Sequence, residues 1–174
     1  DNVIDANDVC AIGHSTTPGI YYSIHLGAEW KGLGFDCLFQ GTGLYSGILN
    51  TESLYWGLIN NTTISQYAYD HRWTEETAAT ATFPRLSYES NNNNYRTSTF
   101  WLVDRSFFKL RNLEVYYNLP KTLIQKTHFM SGAKIYVRGT DLFSLDHLNL
   151  SDPESYGATY PLTRSIICGL SLTF

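Results

Sequence analysis

Long stretches of strict two-residue alternation limit most severely how this chain can fold. The segment IYYSIHLGAEWK places Ile20, Tyr22, Ile24, Leu26, Ala28 and Trp30 on one set of alternate positions, and Tyr21, Ser23, His25, Gly27, Glu29 and Lys31 on the other. Successive side chains point to opposite faces in a strand, so this pattern gives one apolar and one mostly polar surface; a helix would scatter both sets around its circumference. After a turn at Gly32 to Gly34, Phe35, Cys37 and Phe39 oppose Asp36 and Gln40. Further on, Leu113, Val115, Tyr117 and Leu119 oppose Asn112, Glu114 and Tyr116, and Pro120 stops the run because proline cannot extend a ladder. Ala133, Ile135 and Val137 then oppose Lys134, Tyr136 and Arg138. The last run sets Ile166, Cys168, Leu170, Leu172 and Phe174 against Ser165, Gly169, Ser171 and Thr173, with Ile167 the exception.

The pattern predicts an all-β chain: an antiparallel meander of about five strands near 20–31, 33–41, 107–119, 132–142 and 164–174. Most of these approach the roughly 9–11 residues that carry a tilted strand across a bilayer. The joins are unequal. Tight or short turns follow the first and third strands, whereas 1–19, 42–105 and 143–162 are long. Transmembrane barrels alternate short turns on one side with long loops on the other, which makes the long segments outer loops. Composition agrees: aromatic residues make up 15% and charged residues only 16% of the 174 residues, and no run is long and apolar enough for a membrane helix. A net charge of −4 argues against a nucleic-acid partner, which would need clustered cations. Two other readings of the alternation stay open: a soluble β-sandwich glycan-binding module, and a passive porin-like barrel.

The loops hold the candidate sites. Tyr55, Trp56, Tyr69, Trp73 and Tyr95 lie in the longest loop, where flat amphipathic rings could stack on a substrate such as a sugar, or else pack the loop onto itself or onto a partner. Asp1, Val3, Asp5 and Asp8 have the spacing of the second half of an EF-hand-like calcium loop, with hard oxygen donors at alternate positions; an acidic loop with no ion has the same composition. Ca²⁺ at this loop is thus a candidate ligand, and no cofactor is otherwise required. Polar-face residues His25, Glu29, Lys31, Asn112, Glu114, Lys134 and Arg138 would line the barrel interior. Glu75 and Glu76 are adjacent in a loop, which gives no control over carboxylate separation, and no catalytic constellation emerges. The chain is not expected to be an enzyme.

Several motifs carry a family resemblance. DNVIDANDVCAIG precedes the strand YYSIHLGAEWKG, and WKGLGFDCLFQG forms a hairpin ending in Phe-Gln-Gly. WTEETAATATFPRLS contributes Trp73, Thr74, Pro84, Arg85 and Leu86; NYRTSTFWLVDRSFFKLRNLEVYYNLP spans Asn94 to Pro120; KIYVRGTDLFSL and a terminal Phe follow. These stretches resemble the C-terminal portion of SusC/RagA-type TonB-dependent outer-membrane proteins of Bacteroidetes, with the segment from Leu44 to Arg72 outside the match. The resemblance implies that the meander is part of a large, roughly 22-stranded plugged barrel in the outer membrane of a Gram-negative cell. It implies active import of oligosaccharides or peptides, a SusD-like lipoprotein over the outer loops, and contact with TonB through regions outside this stretch. It also implies that the remaining barrel strands, a plug domain and membrane lipid are neighbours of these residues. Five strands cannot close a barrel by themselves, and lipid tolerates no unpaired sheet edge.

Overall fold

The computed structural model describes residues 5–88, 93–155, 157 and 159–174. Among them the strands are, in chain order, β1 (Ile20–Trp30), β2 (Leu33–Gly43), β3 (Ser46–Ile48), β4 (Leu102–Asp104), β5 (Phe107–Asn118), β6 (Gly132–Asp146) and β7 (Ser165–Thr173). Two short α-helices accompany them, α1 (Gln66–Asp70) and α2 (Lys121–Ile124). The chain divides into two compact units. A sheet unit comprises Ile20–Gly43, Ser106–His147 and Pro161–Phe174, and a loop unit comprises Asp1–Gly19, Leu44–Arg105 and Leu148–Tyr160.

The sheet unit is an antiparallel meander in the order β1-β2-β5-β6-β7. Its register converts the alternation of each strand into two continuous faces. Leu26 pairs with Cys37, Cys37 with Leu113, Leu113 with Gly139 and Gly139 with Ile166; one rung away Ala28, Phe35, Val115, Val137 and Cys168 fall in line. On the opposite face Gly27, Asp36, Glu114, Arg138 and Ile167 share a rung. The apolar face is open. Ile24, Leu26, Val137 and Leu170 keep 47%, 51%, 47% and 60% of their surface accessible, where a sandwich would bury them under a second sheet.

Local chemistry fixes the turns and the register. Lys31 and Gly32 both have positive φ (52° and 87°), the conformation of a two-residue hairpin whose twist matches its strands. A Cβ at Gly32 would lie 2.7 Å from the Asn118 carbonyl oxygen, so glycine is required there twice over. Tyr22 lies over Gly41, Tyr116 over Gly34 and Tyr136 over Gly169, each ring occupying the space left by the glycine directly across the ladder.

The strands depart from the simple alternation at one place. The ladder skips Arg111 between Leu110 and Asn112, forming a β-bulge, and across from it Asp141 takes a positive φ of 48°. The bulge shifts the phase of β5, whereas β6 passes over both Asp141 and Leu142 and keeps its own; it continues to Asp146 with Phe143 and Leu145 on the apolar face, where the sequence places the start of a loop. Likewise β2 runs past Gly41 to Gly43.

The loop unit has its own core. Trp101, 1% exposed, lies at its centre with Tyr55, Ala68 and Phe83, and Ile48, Leu49, Leu54, Trp56, Ile64, Tyr67, Tyr95 and Leu150 close around them. β3 pairs antiparallel with β4, and Leu49 N donates to the Trp101 carbonyl at 2.8 Å, which ties the two ends of the long loop together. Ser65 caps α1 by accepting from Ala68 N and donates to the Leu54 carbonyl at 2.6 Å.

Candidate functional site

Two arrangements of polar and aromatic side chains merit description, one in each unit.

On the polar face of the sheet, neighbouring strands join their charges across the ladder. Glu114, 8% exposed, accepts from Lys134 Nζ at 2.6 Å and from Arg138 Nε at 2.8 Å. Glu29 accepts from Tyr116 Oη at 3.0 Å and Asn118 Nδ2 at 3.1 Å, and His25 Nε2 lies 2.7 Å from Asp36 Oδ2. The bulged Arg111 reaches back to this face, donating to Gln40 Oε1 at 2.7 Å and Asp141 Oδ1 at 2.8 Å, so it ties β2, β5 and β6 together at the irregular rung. Asp36, Asn112, Glu114, Tyr116, Asn118, Lys134 and Arg138 border an open depression of about 580 Å³ on this surface. Of the polar residues singled out in the sequence, all but Lys31 belong to strands of this face; Lys31 is in the hairpin turn, 4.5 Å from the Trp30 ring centroid. These charges are paired with one another, which suits a wetted wall.

In the loop unit the five aromatic residues named from the sequence separate into two groups. Tyr55 is 5% exposed, stacks on Phe83 at 6.4 Å and bonds Ser151 Oγ through its hydroxyl at 3.1 Å; burial pushes the phenol pKa above its ordinary value. Tyr95 stacks on Trp101 at 6.1 Å and its phenol pKa is likewise raised by burial, while Trp56 packs against both of these rings at 5.2 and 6.0 Å. The Trp56 indole N–H is buried with no acceptor among the described residues. These three side chains hold the loop together. Tyr69 and Trp73, by contrast, are 44% and 40% exposed, and the Arg72 guanidinium lies 3.7 Å over the Tyr69 ring.

Trp73 borders an open cleft of about 490 Å³ together with Ala81, Phe83, Pro84, Arg85, Asn93, Asn94, Ser98 and Phe100. Both walls are fixed. Trp73 N donates to the Phe83 carbonyl and Phe83 N to the His71 carbonyl, and a reciprocal Thr74–Thr77 hydroxyl pair closes the intervening loop. The facing segment is held by Trp101, whose indole donates to the Asn94 carbonyl at 2.8 Å and whose ring meets Phe100 edge-on at 4.8 Å. The Pro84-Arg85 pair, seen in the sequence only as part of a motif, thereby becomes part of a site; proximity of Asn93 and Phe100 to it is not encoded by spacing.

Of the acidic loop, Asp1 and Val3 lie outside the described residues. Asp5 and Asp8 form a reciprocal cap on a single 3-10 turn: the Asp5 carboxylate accepts from Asn7 N at 2.7 Å and Asp5 N donates to Asp8 Oδ2 at 2.9 Å. Each carboxylate thus accepts a backbone N–H, and among the described residues no three His, Cys, Asp or Glu side chains gather as a metal site.

No protein-family model matches the sequence, and no curated protein matches it. Solved structures do. The RagAB peptide importer in its open-open state is similar over 100% of this chain with a TM-score of 0.73 and 25% identity, and in its closed-closed state with 0.75 and 25%. A further structure of the RagAB peptide transporter gives 0.74 and 24%. The chain spans 19% of the length of each of these matched chains. The likeness to SusC/RagA-type proteins carried by short sequence motifs is therefore also a likeness of fold over the whole chain, which has the architecture of a part of such a barrel.

Proposed function

We propose that this chain is the C-terminal wall and outer-loop portion of an outer-membrane, TonB-dependent active transporter that imports peptides or oligosaccharides with a SusD-like lipoprotein. The observation that carries the reading is the five-strand meander whose apolar face is continuous and uncovered while its other face is a lattice of paired charges. Lipid is the environment in which exposed Ile24, Leu26, Val137 and Leu170 cost nothing, and the strands, of 9 to 15 residues, are long enough to cross it at a tilt. The free sides of β1 and β7 require further strands, since an unpaired edge in hydrocarbon leaves every second backbone group unsatisfied. In this arrangement the polar face looks into the lumen, where its charges meet a plug, and the loop unit meets substrate and lipoprotein outside the cell.

Similarity to a peptide importer favours peptides over oligosaccharides as cargo. The test is uptake of a fluorescent oligopeptide by cells carrying the complete protein. Uptake that stops when the proton gradient is collapsed supports active import; uptake indifferent to the gradient supports the passive porin-like reading, and a chain that fractionates without detergent supports the soluble one.

A further inference from the structure

The cleft beside Trp73 has a composition that selects a ligand. Arg85 is the one cation among the described residues that border it; it is exposed and makes no hydrogen bond or ion pair with a described residue. Among the described residues that border the cleft none is Asp or Glu, although the whole chain has 16 acidic residues against 12 Lys and Arg. Bordering the cleft with this unspent charge are an exposed indole, an exposed phenyl ring (Phe100, 55%), the apolar residues Ala81, Phe83 and Pro84, and Asn93. A guanidinium fork matches a carboxylate in geometry as well as in charge, and rigid aromatic walls take an apolar group with little loss of entropy.

We propose that this cleft binds the carboxyl end of a peptide: Arg85 grips the terminal carboxylate, Asn93 bonds the last amide, and the last side chain lies between Trp73 and Phe100. The inference rests on the peptide-import reading above. An acidic sugar also offers a carboxylate, but its ring hydroxyls would be stranded against Ala81, Phe83 and Pro84, whereas an apolar side chain loses nothing there.

Calorimetric titration of the detergent-solubilised full protein tests it, with three probes: alanyl-alanyl-alanyl-leucine as the free acid, the same peptide as its C-terminal amide, and trigalacturonate. The acid should bind about tenfold or more tighter than the amide. Arg85→Gln should abolish that preference by weakening the acid far more than the amide, Arg85→Lys should restore part of it, and Trp73→Ala should weaken both peptides alike. Unchanged circular dichroism and melting of each variant are the check on folding, and both side chains are exposed. Equal binding of acid and amide, binding of neither, or trigalacturonate binding as tightly as the acid would overturn the proposal. A protein that remains in the membrane fraction yet ignores these peptides sinks this inference alone, whereas one that is soluble without detergent sinks the transporter reading.

Discussion

Trp101 organises the loop unit, since it meets Trp56, Phe83, Tyr95 and Phe100 and fixes the Asn94 carbonyl. Trp101→Ala removes a fully buried ring and leaves a void, at a cost of about 3–5 kcal/mol. Hydrogen exchange should then show loss of protection through Leu44–Arg105 with the ladders of the sheet unit unchanged; protection lost equally in both would argue that the two are one cooperative unit. Tyr55 gives the unit a pH response. Its phenol is held neutral by burial, so its contribution to stability is full below the unfolded value of about 10 and is lost as pH rises through the higher folded value. Absorbance of tyrosinate, compared between the native chain and Tyr55→Phe, should show one phenol ionising later than the ordinary set; an ionisation at the ordinary value would contradict this. Tyr55, Trp56 and Tyr95 could be recognised in the sequence as important aromatics, but not as core residues, because the ring that buries them is brought from Trp101 and the neighbouring Phe83 segment by tertiary contact.

The strand is the scale at which sequence and structure agree most closely, and the physical reason is the period of two. Positions 24, 26 and 28 of β1 can only share a face, and the tight turn at Lys31 and Gly32 sets β2 in register behind them. Replacing that turn residue, Gly32→Ala, forces a side chain into positive φ and onto the Asn118 carbonyl oxygen; loss of about 1–3 kcal/mol in urea unfolding from lipid vesicles is expected. The two faces make opposite predictions for the same substitution. Ile24→Arg, on the open apolar face, should destabilise the membrane-inserted state by about 2–4 kcal/mol if it lies near the bilayer centre, and Ser23→Arg, one position away on the polar face, by much less. Equal costs would mean that lipid does not contact the Ile24 face. What alternation could not reveal was the bulge. Arg111 shifts the phase of β5, while β6 passes over both Asp141 and Leu142, keeps its parity and runs on beyond residue 142.

At the scale of the whole molecule, the sheet has two strands with a free side and one uncovered face, so its environment must supply what the chain does not. Refolded by itself with lipid vesicles, this chain should give no heat-modifiable band on a denaturing gel, whereas the complete protein that carries it should; a heat-modifiable band from the chain alone would show that copies close the barrel among themselves. Sequence by itself determined the class of structure and the assignment of faces, because side-chain direction in a strand depends only on parity, and parity is local. It also marked the short motifs that point to SusC/RagA-type proteins. Tertiary structure alone decided which aromatics are core and which face solvent, that Asp5 and Asp8 serve their own turn, and that Arg85, Asn93, Trp73 and Phe100 border one cleft. Those four residues span a long loop with no repeating period, and only the packing around Trp101 determines where its segments meet.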